Sequence, residues 1–409
     1  MQRQLARFLL LIGLAATGCQ TQPQAPPPDN PRAQIEVTAE VPLPVSPTPA
    51  VTLAPTATVL SEPVQLTATV WEALPQVPIL MYHRFDPRPG SSSYRYTTSL
   101  ADFDQHLSAL YEAGFSLVSL DDWLRGNIHL QAGRRPLIIT IDDLFYADQI
   151  SLDENGQPAP YSGIGRLWAF AQEHPLFNFE VALFYNLGDK GYANHYANGA
   201  FTVQSGWREA RARAIAWSIE HGALPMNHFY EHPYLNQLSP DEIQWQLEEN
   251  DKALREALAS IGREDLVKKL PNILALPYVV SPETEVGQQV LYDYINPEGA
   301  PVAAIVKGYY AGGAKRFQAP FSHAFNRWEV PRISASTQAV ADIVSQSEQI
   351  PAALSCPLGE FQGNPSILPD VISRAILDQI NAGHCPYGYY VISQLVFYVQ
   401  EDVIIQYAP

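Results

Sequence analysis

From residue 76 onward the chain alternates between short, almost wholly apolar runs and longer stretches in which apolar residues recur every three or four positions. The apolar runs predict strands over 77–83, 115–120, 136–142, 180–185, 222–227, 272–278, 300–306 and 327–333. The periodic stretches predict helices over 101–113, 163–173, 207–220 and 240–260. Several strands are apolar throughout rather than at alternate positions, as expected where both faces are covered. Strands that alternate with helices in this way imply a parallel sheet, open or closed into a barrel. Ligands of such folds gather at the carboxyl ends of the strands. Ser239-Pro240-Asp241-Glu242 gives the sharpest boundary, with a serine cap, proline at the first helical position and glutamate three after the cap.

The pattern changes at both ends. Residues 20–75 hold 12 of the chain's 35 prolines with no sustained period, and read as an extended tether. Beyond the last predicted barrel strand, a helix over 337–349 leads to a helix over 372–385 and two or three antiparallel strands. Residues 350–409 therefore read as a small β-rich appendage, with Cys356 and Cys385 able to pair in an oxidising compartment.

Composition narrows the partners. The 409 residues are 46% hydrophobic, which allows a sizeable core, and the formal charge of −17 excludes nucleic-acid backbone binding. Arg3 and Arg7, a short apolar run and a small-residue segment ending at Cys19 describe an export signal. That segment resembles a bacterial lipoprotein signal, which implies lipidation of Cys19 and an extracytoplasmic protein anchored to the cell membrane; plain secretion is the alternative.

Two places carry chemistry. His228 and His232 stand four apart in the loop between strand 222–227 and the Ser239 cap, where a site belongs. Asp142-Asp143 ends strand 136–142. One carboxylate can bind a metal while the other takes a proton from water. Two imidazoles and one carboxylate leave open positions, the pattern of catalytic zinc or a related divalent ion. Asp121-Asp122 also follows a strand but has no such company, and reads as helix-capping. Aromatic residues in 184–199 either stack on sugars or pack within a loop.

With "VPILMYHRF", "TIDD", "NHFYEHPYLNQLSPDEI", "LPY" and "VPRI" in that order, residues 76–335 resemble the polysaccharide deacetylases, the NodB homology family or carbohydrate esterase family 4. The resemblance implies a distorted (β/α) barrel, a catalytic domain over 76–349, and metal-dependent removal of N-acetyl groups from an amino-sugar glycan such as peptidoglycan or poly-N-acetylglucosamine. It implies zinc, with cobalt or nickel as substitutes. Asp142 becomes the base, and Asp143, His228 and His232 the metal ligands. Pro277 and Tyr278 bind substrate, with the Tyr278 amide as oxyanion donor.

The sequence departs from that pattern in places. Leu144 stands where the family has glycine, and Phe229 where it has serine or threonine. Leu274-Ala275-Leu276 lacks the arginine that pairs with the catalytic carboxylate, so Asp142 is expected to be hard to ionise unless Arg332 or another cation serves. No late histidine motif supplies the general acid; His323 or His83 could. These departures leave a glycan-binding protein without catalysis as the alternative reading.

Overall fold

The computed structural model describes residues 64–73, 75–88, 96–188, 206–309, 317–322, 325–361, 369–401 and 403–407. Cys19 and His323, with the roles expected of them, lie outside these residues, as do the expected signal and most of the tether.

Seven of the apolar runs become the parallel strands of one ring: β1 (Val77–Tyr82), β2 (Arg135–Leu144), β3 (Val181–Tyr185), β4 (Ala223–Asn227), β5 (Ile273–Ala275), β6 (Ala304–Tyr309) and β7 (Val330–Ser334). Each pairs with the next, and β7 pairs back to β1, so the barrel closes in chain order. The short strand Phe115–Leu117 pairs with the start of β2 outside the ring.

Strand alternation sorts the apolar residues into two cores. Val77, Ile79, Ile138, Phe184, Met226, Ala275 and Val306 share one cluster, the filled barrel interior. Leu80, Ile139, Ile141 and Leu183 share the other with helix residues Leu107, Leu167, Ile215 and Leu254. The helices follow their predicted registers closely, at Leu100–Glu112, Gly163–Glu173, Trp207–Glu220 and Pro240–Ala259. Ser239 makes the full capping box with Glu242. The helix Glu285–Asp293 was not anticipated.

An antiparallel sheet forms the appendage, in the order Leu354–Phe361, Val64–Trp71, Gly388–Ile392, Leu395–Gln400, Val403–Tyr407. Its second strand corrects the tether boundary. Val64–Trp71 falls inside 20–75 but alternates apolar and polar residues, buries Ala68 and Val70, and pairs on both sides. The prolines before it hid a period of two. A disulfide joins Cys356 and Cys385, whose Cα atoms are 5.7 Å apart. Trp71, Val391 and Val396 of this sheet share the interior cluster with Val77, Ile273, Ala304 and Val330, the first residues of four barrel strands. The sheet thus closes the amino-terminal end of the barrel and leaves the carboxyl end open. No helix among the described residues is long and apolar enough to cross a membrane.

Glu180, just ahead of β3, is pushed up to about 7, by burial first and by the charge of Asp122 second. A carboxyl raised in the folded state holds its proton there while the unfolded chain has released it. Stability therefore falls as pH rises from about 4.5 to 7. Glu180→Gln is expected to be neutral near pH 4 and to stabilise by about 1–2 kcal/mol at pH 8, after allowing for solvent contact. Urea unfolding at both pH values measures this; an equal effect at each would exclude the titration.

Candidate active site

The carboxyl ends of every barrel strand but β3 contribute to one cavity of about 300 Å³, whose walls include His83, Asp142, Asp143, His228, His232, Tyr278 and Arg332. Asp142 and Asp143 reach it together because the register between β2 and β3 shifts between Ile141 and Leu144. Such a bulge re-aims side chains at a strand end. Asp143 takes a left-handed backbone with φ 61°, while Leu144 returns to the core and is fully buried. Leucine is thus accommodated in place of glycine because the neighbouring aspartate carries the unusual dihedral.

Asp143 Oδ1 lies 3.2 Å from His232 Nε2 and 3.5 Å from His228 Nε2. The three ligand atoms all fall within 4.8 Å of one another. Bonds of about 2.0–2.2 Å in a tetrahedron set ligands about 3.3–3.6 Å apart, so the cluster fits a divalent ion. Asp143 Oδ1 is buried without a hydrogen-bond partner, a costly state that an ion would relieve. His228 Nδ1 lies 2.9 Å from the Ala275 carbonyl and donates to it, which leaves the Nε2 lone pair facing the cluster. Burial opposes the charge on Asp143, but the nearby imidazoles of His228, His83 and His232 outweigh it and hold the carboxyl well below its usual range.

Arg332 answers the missing arginine. It reaches past β1 from β7 and grips Asp142 with two bonds, Nη1 to Oδ1 at 2.6 Å and Nη2 to Oδ2 at 2.7 Å. Both side chains are almost fully buried, and Nη1 also donates to Thr140 Oγ1 at 3.1 Å. Burial alone would raise Asp142; the Arg332 charge beside it prevails and keeps it lowered. Arg332 is thus the substitute cation that the sequence allowed for, supplied from another strand, and it keeps Asp142 lowered. Asp142 Oδ2 lies 3.9 Å from His228 Nε2, at the edge of the ligand cluster.

Phe229 does not loosen the histidine loop. Its backbone N–H donates to Asn227 Oδ1 at 2.9 Å, and its ring is wholly buried among Leu235, Ile243, Leu247 and Leu276. Asn227 is fixed in turn by Asn250 and Asp251 on the buried face of the Pro240–Ala259 helix. Tyr185 and Tyr294 donate to Asp251 at 2.7 and 2.6 Å, which satisfies it. A side-chain amide and an aromatic anchor thus replace the hydroxyl.

The remaining expected residues are placed as follows. Tyr278 lines the cavity with a left-handed backbone, φ 54°, in a turn where Val279 has φ 64°. Pro277, expected to touch substrate, is instead buried under the turn and does not line the cavity. His83 lines the cavity beside Tyr96, and burial lowers its pKa against the pull of Asp142 and Asp143. Asp121 and Asp122 sit in the first turn of a short helix capped by Ser119, bound to Arg125 and away from the cavity. Sequence reasoning missed Gln149, which donates to the backbone carbonyls of His83 and Asp142 at 2.8 and 2.7 Å and ties β1 to β2.

No family model matches the chain, and no curated protein does. Among solved structures, the Streptococcus pyogenes deacetylase PplD is similar at 15% identity, over 67% of this chain and 98% of that one, with a TM-score of 0.44. IcaB from Ammonifex degensii is similar at 16% identity, over 68% and 99%, with a TM-score of 0.42. A de-N-acetylase from Aggregatibacter actinomycetemcomitans follows at 12% identity, over 66% and 99%, with a TM-score of 0.41.

Proposed function

We propose that this protein is a metal-dependent deacetylase that removes N-acetyl groups from an amino-sugar glycan of the peptidoglycan or poly-N-acetylglucosamine type. One observation carries the reading: a buried, ionised Asp142 lies against a separate Asp143–His228–His232 cluster in one cavity. A purely structural ion network would not need two adjacent carboxylates in different electrostatic settings.

Asp143, His228 and His232 would hold the ion, zinc before cobalt or nickel. When bound it would supply Lewis acidity, polarising the acyl carbonyl and making water a stronger acid. The protein's own groups do the rest. Asp142 spends one lone pair of each oxygen on Arg332 and keeps others for a water proton. The Tyr278 turn, at the cavity wall, offers its backbone amide to the developing oxyanion. Burial holds His83 neutral at rest, so the proton for the departing amine comes from Asp142, directly or across His83. Cys19 would carry the lipid that anchors the chain outside the cytoplasm, at the envelope where such glycans lie.

The test is acetate release from N-acetylated chito-oligomers by protein loaded with zinc, cobalt or nickel. Asp142→Asn keeps the shape and removes the base, and is expected to lower the rate about 10²–10⁴-fold. Equal rates in the two proteins would overturn the assignment. Glycan binding with no release under any metal would favour a non-catalytic binding protein.

A further inference from the structure

A cavity of about 300 Å³ is at the small end of ligand pockets. It takes one sugar with its acyl group, so a longer glycan has to leave across the rim. There, just beyond the cavity wall, Tyr234 stacks face to face on Tyr278, with centroids 4.0 Å apart and planes 9° from parallel. Tyr278 in turn meets His232 edge to face at 4.4 Å. The three rings run outward from the ligand cluster in a single file.

Tyr234 is 47% exposed and Tyr278 is 50% exposed, though each is ordered against an aromatic neighbour. The backbone beneath also carries strain, because Tyr278 and Val279 are consecutive non-glycine residues in the left-handed region. That turn holds the Tyr278 ring at the mouth, where it supports Tyr234 from behind. One Tyr234 face is taken by the stack, and the solvent-exposed remainder is an uncharged, apolar surface with a hydroxyl at its edge. An apolar surface of this kind beside a polar cavity suits the C–H face of a pyranose ring.

The geometry points to Tyr234, backed by Tyr278, as a platform for the sugar next to the one being deacetylated, which makes the site selective for glycan chains over single amino sugars. The inference rests on the deacetylase reading for the identity of that glycan. Tyr234 is a specificity residue here; the chemistry stays with Asp142 and the ligand cluster.

The experiment uses the full chain loaded with zinc and N-acetylglucosamine oligomers of one to five units. Acetate release gives kcat and KM for each length, and calorimetric titration gives affinity independently of turnover. Tyr234→Ala is expected to raise KM for the longer oligomers by about tenfold, with kcat held within about twofold, and to affect the monosaccharide less. Tyr234→Phe and Tyr234→Trp are expected to restore the length dependence, because they keep an aromatic face. KM unchanged at every length would overturn the platform, as would an equal loss at every length. If the unmodified protein releases no acetate, the deacetylase reading fails, and titration still decides the platform. Affinity that grows with length and is lost in Tyr234→Ala supports it, and affinity untouched by that change overturns it.

Discussion

His228→Ala is expected to leave the purified protein with less than about a tenth of its metal and to cut acetate release by about 10³-fold or more. One hydrogen bond and one contact fix its ring. Nδ1 is committed to the Ala275 carbonyl, and Nε2 faces Asp143, so the ring has one orientation and one free lone pair. Removing it leaves two ligands, one of them the partly exposed His232, on a loop that has lost its fixed point. Metal analysis measures the first effect directly. Stability supplies a second reading that does not depend on turnover. An ion that binds only the folded chain stabilises it by about 2.7 kcal/mol at a hundred times its dissociation constant. Chelation should therefore lower the melting temperature of the unmodified protein and leave His228→Ala nearly unmoved. Equal metal content in both proteins, with equal sensitivity to chelator, would remove the cluster from the ligand role.

Most of the barrel was legible because its signals are local. The β1 and β3 runs, and the body of β2 ahead of its Asp pair, are mostly apolar, which marks a strand covered on both faces, and the Ser239 box marks a helix start within four residues. The Asp pair and the two histidines were also legible, each being a short motif at a strand end. What escaped depends on distance or on unusual dihedrals. Arg332 could be named only as one candidate cation, because it is 190 residues from Asp142 and nothing local to either shows that β7 and β2 aim them at one point. Asn250 is one of the buried positions of its helix, and nothing in its own neighbourhood shows that it pins Asn227. Asp143, Phe229, His232, Tyr278 and Val279 all have positive φ without being glycine. Propensity argues against such conformations, so their concentration around one cavity is visible only in three dimensions. Val64–Trp71 failed for a different reason: the composition of the preceding proline-rich stretch outweighed an alternation that was present all along.

Arg332→Met is expected to destabilise the fold by about 3–5 kcal/mol at pH 8, because it leaves Asp142 as a buried carboxylate without its cation. The pH dependence identifies the cause. In the unmodified protein, Arg332 keeps Asp142 below its ordinary range, so its contribution is present above the unfolded value and is lost as pH falls through the folded one. Without the guanidinium, burial dominates and Asp142 moves above its ordinary range. The variant then loses stability as pH rises from the unfolded value toward the folded one, which is the opposite slope. Denaturation at pH 5 and pH 8 should therefore show a gap between the two proteins that widens with pH. A cavity effect from the shorter side chain would instead give a constant gap. The same change should move the acid limb of the acetate-release profile to higher pH, since the base must lose its proton before it can work. Arg332→Lys separates charge from geometry. It restores one cation but not the two parallel bonds, so part of the stability should return while the catalytic limb stays displaced. Unchanged acid limbs in both variants would mean that Asp142 does not act as the base, whatever its neighbours.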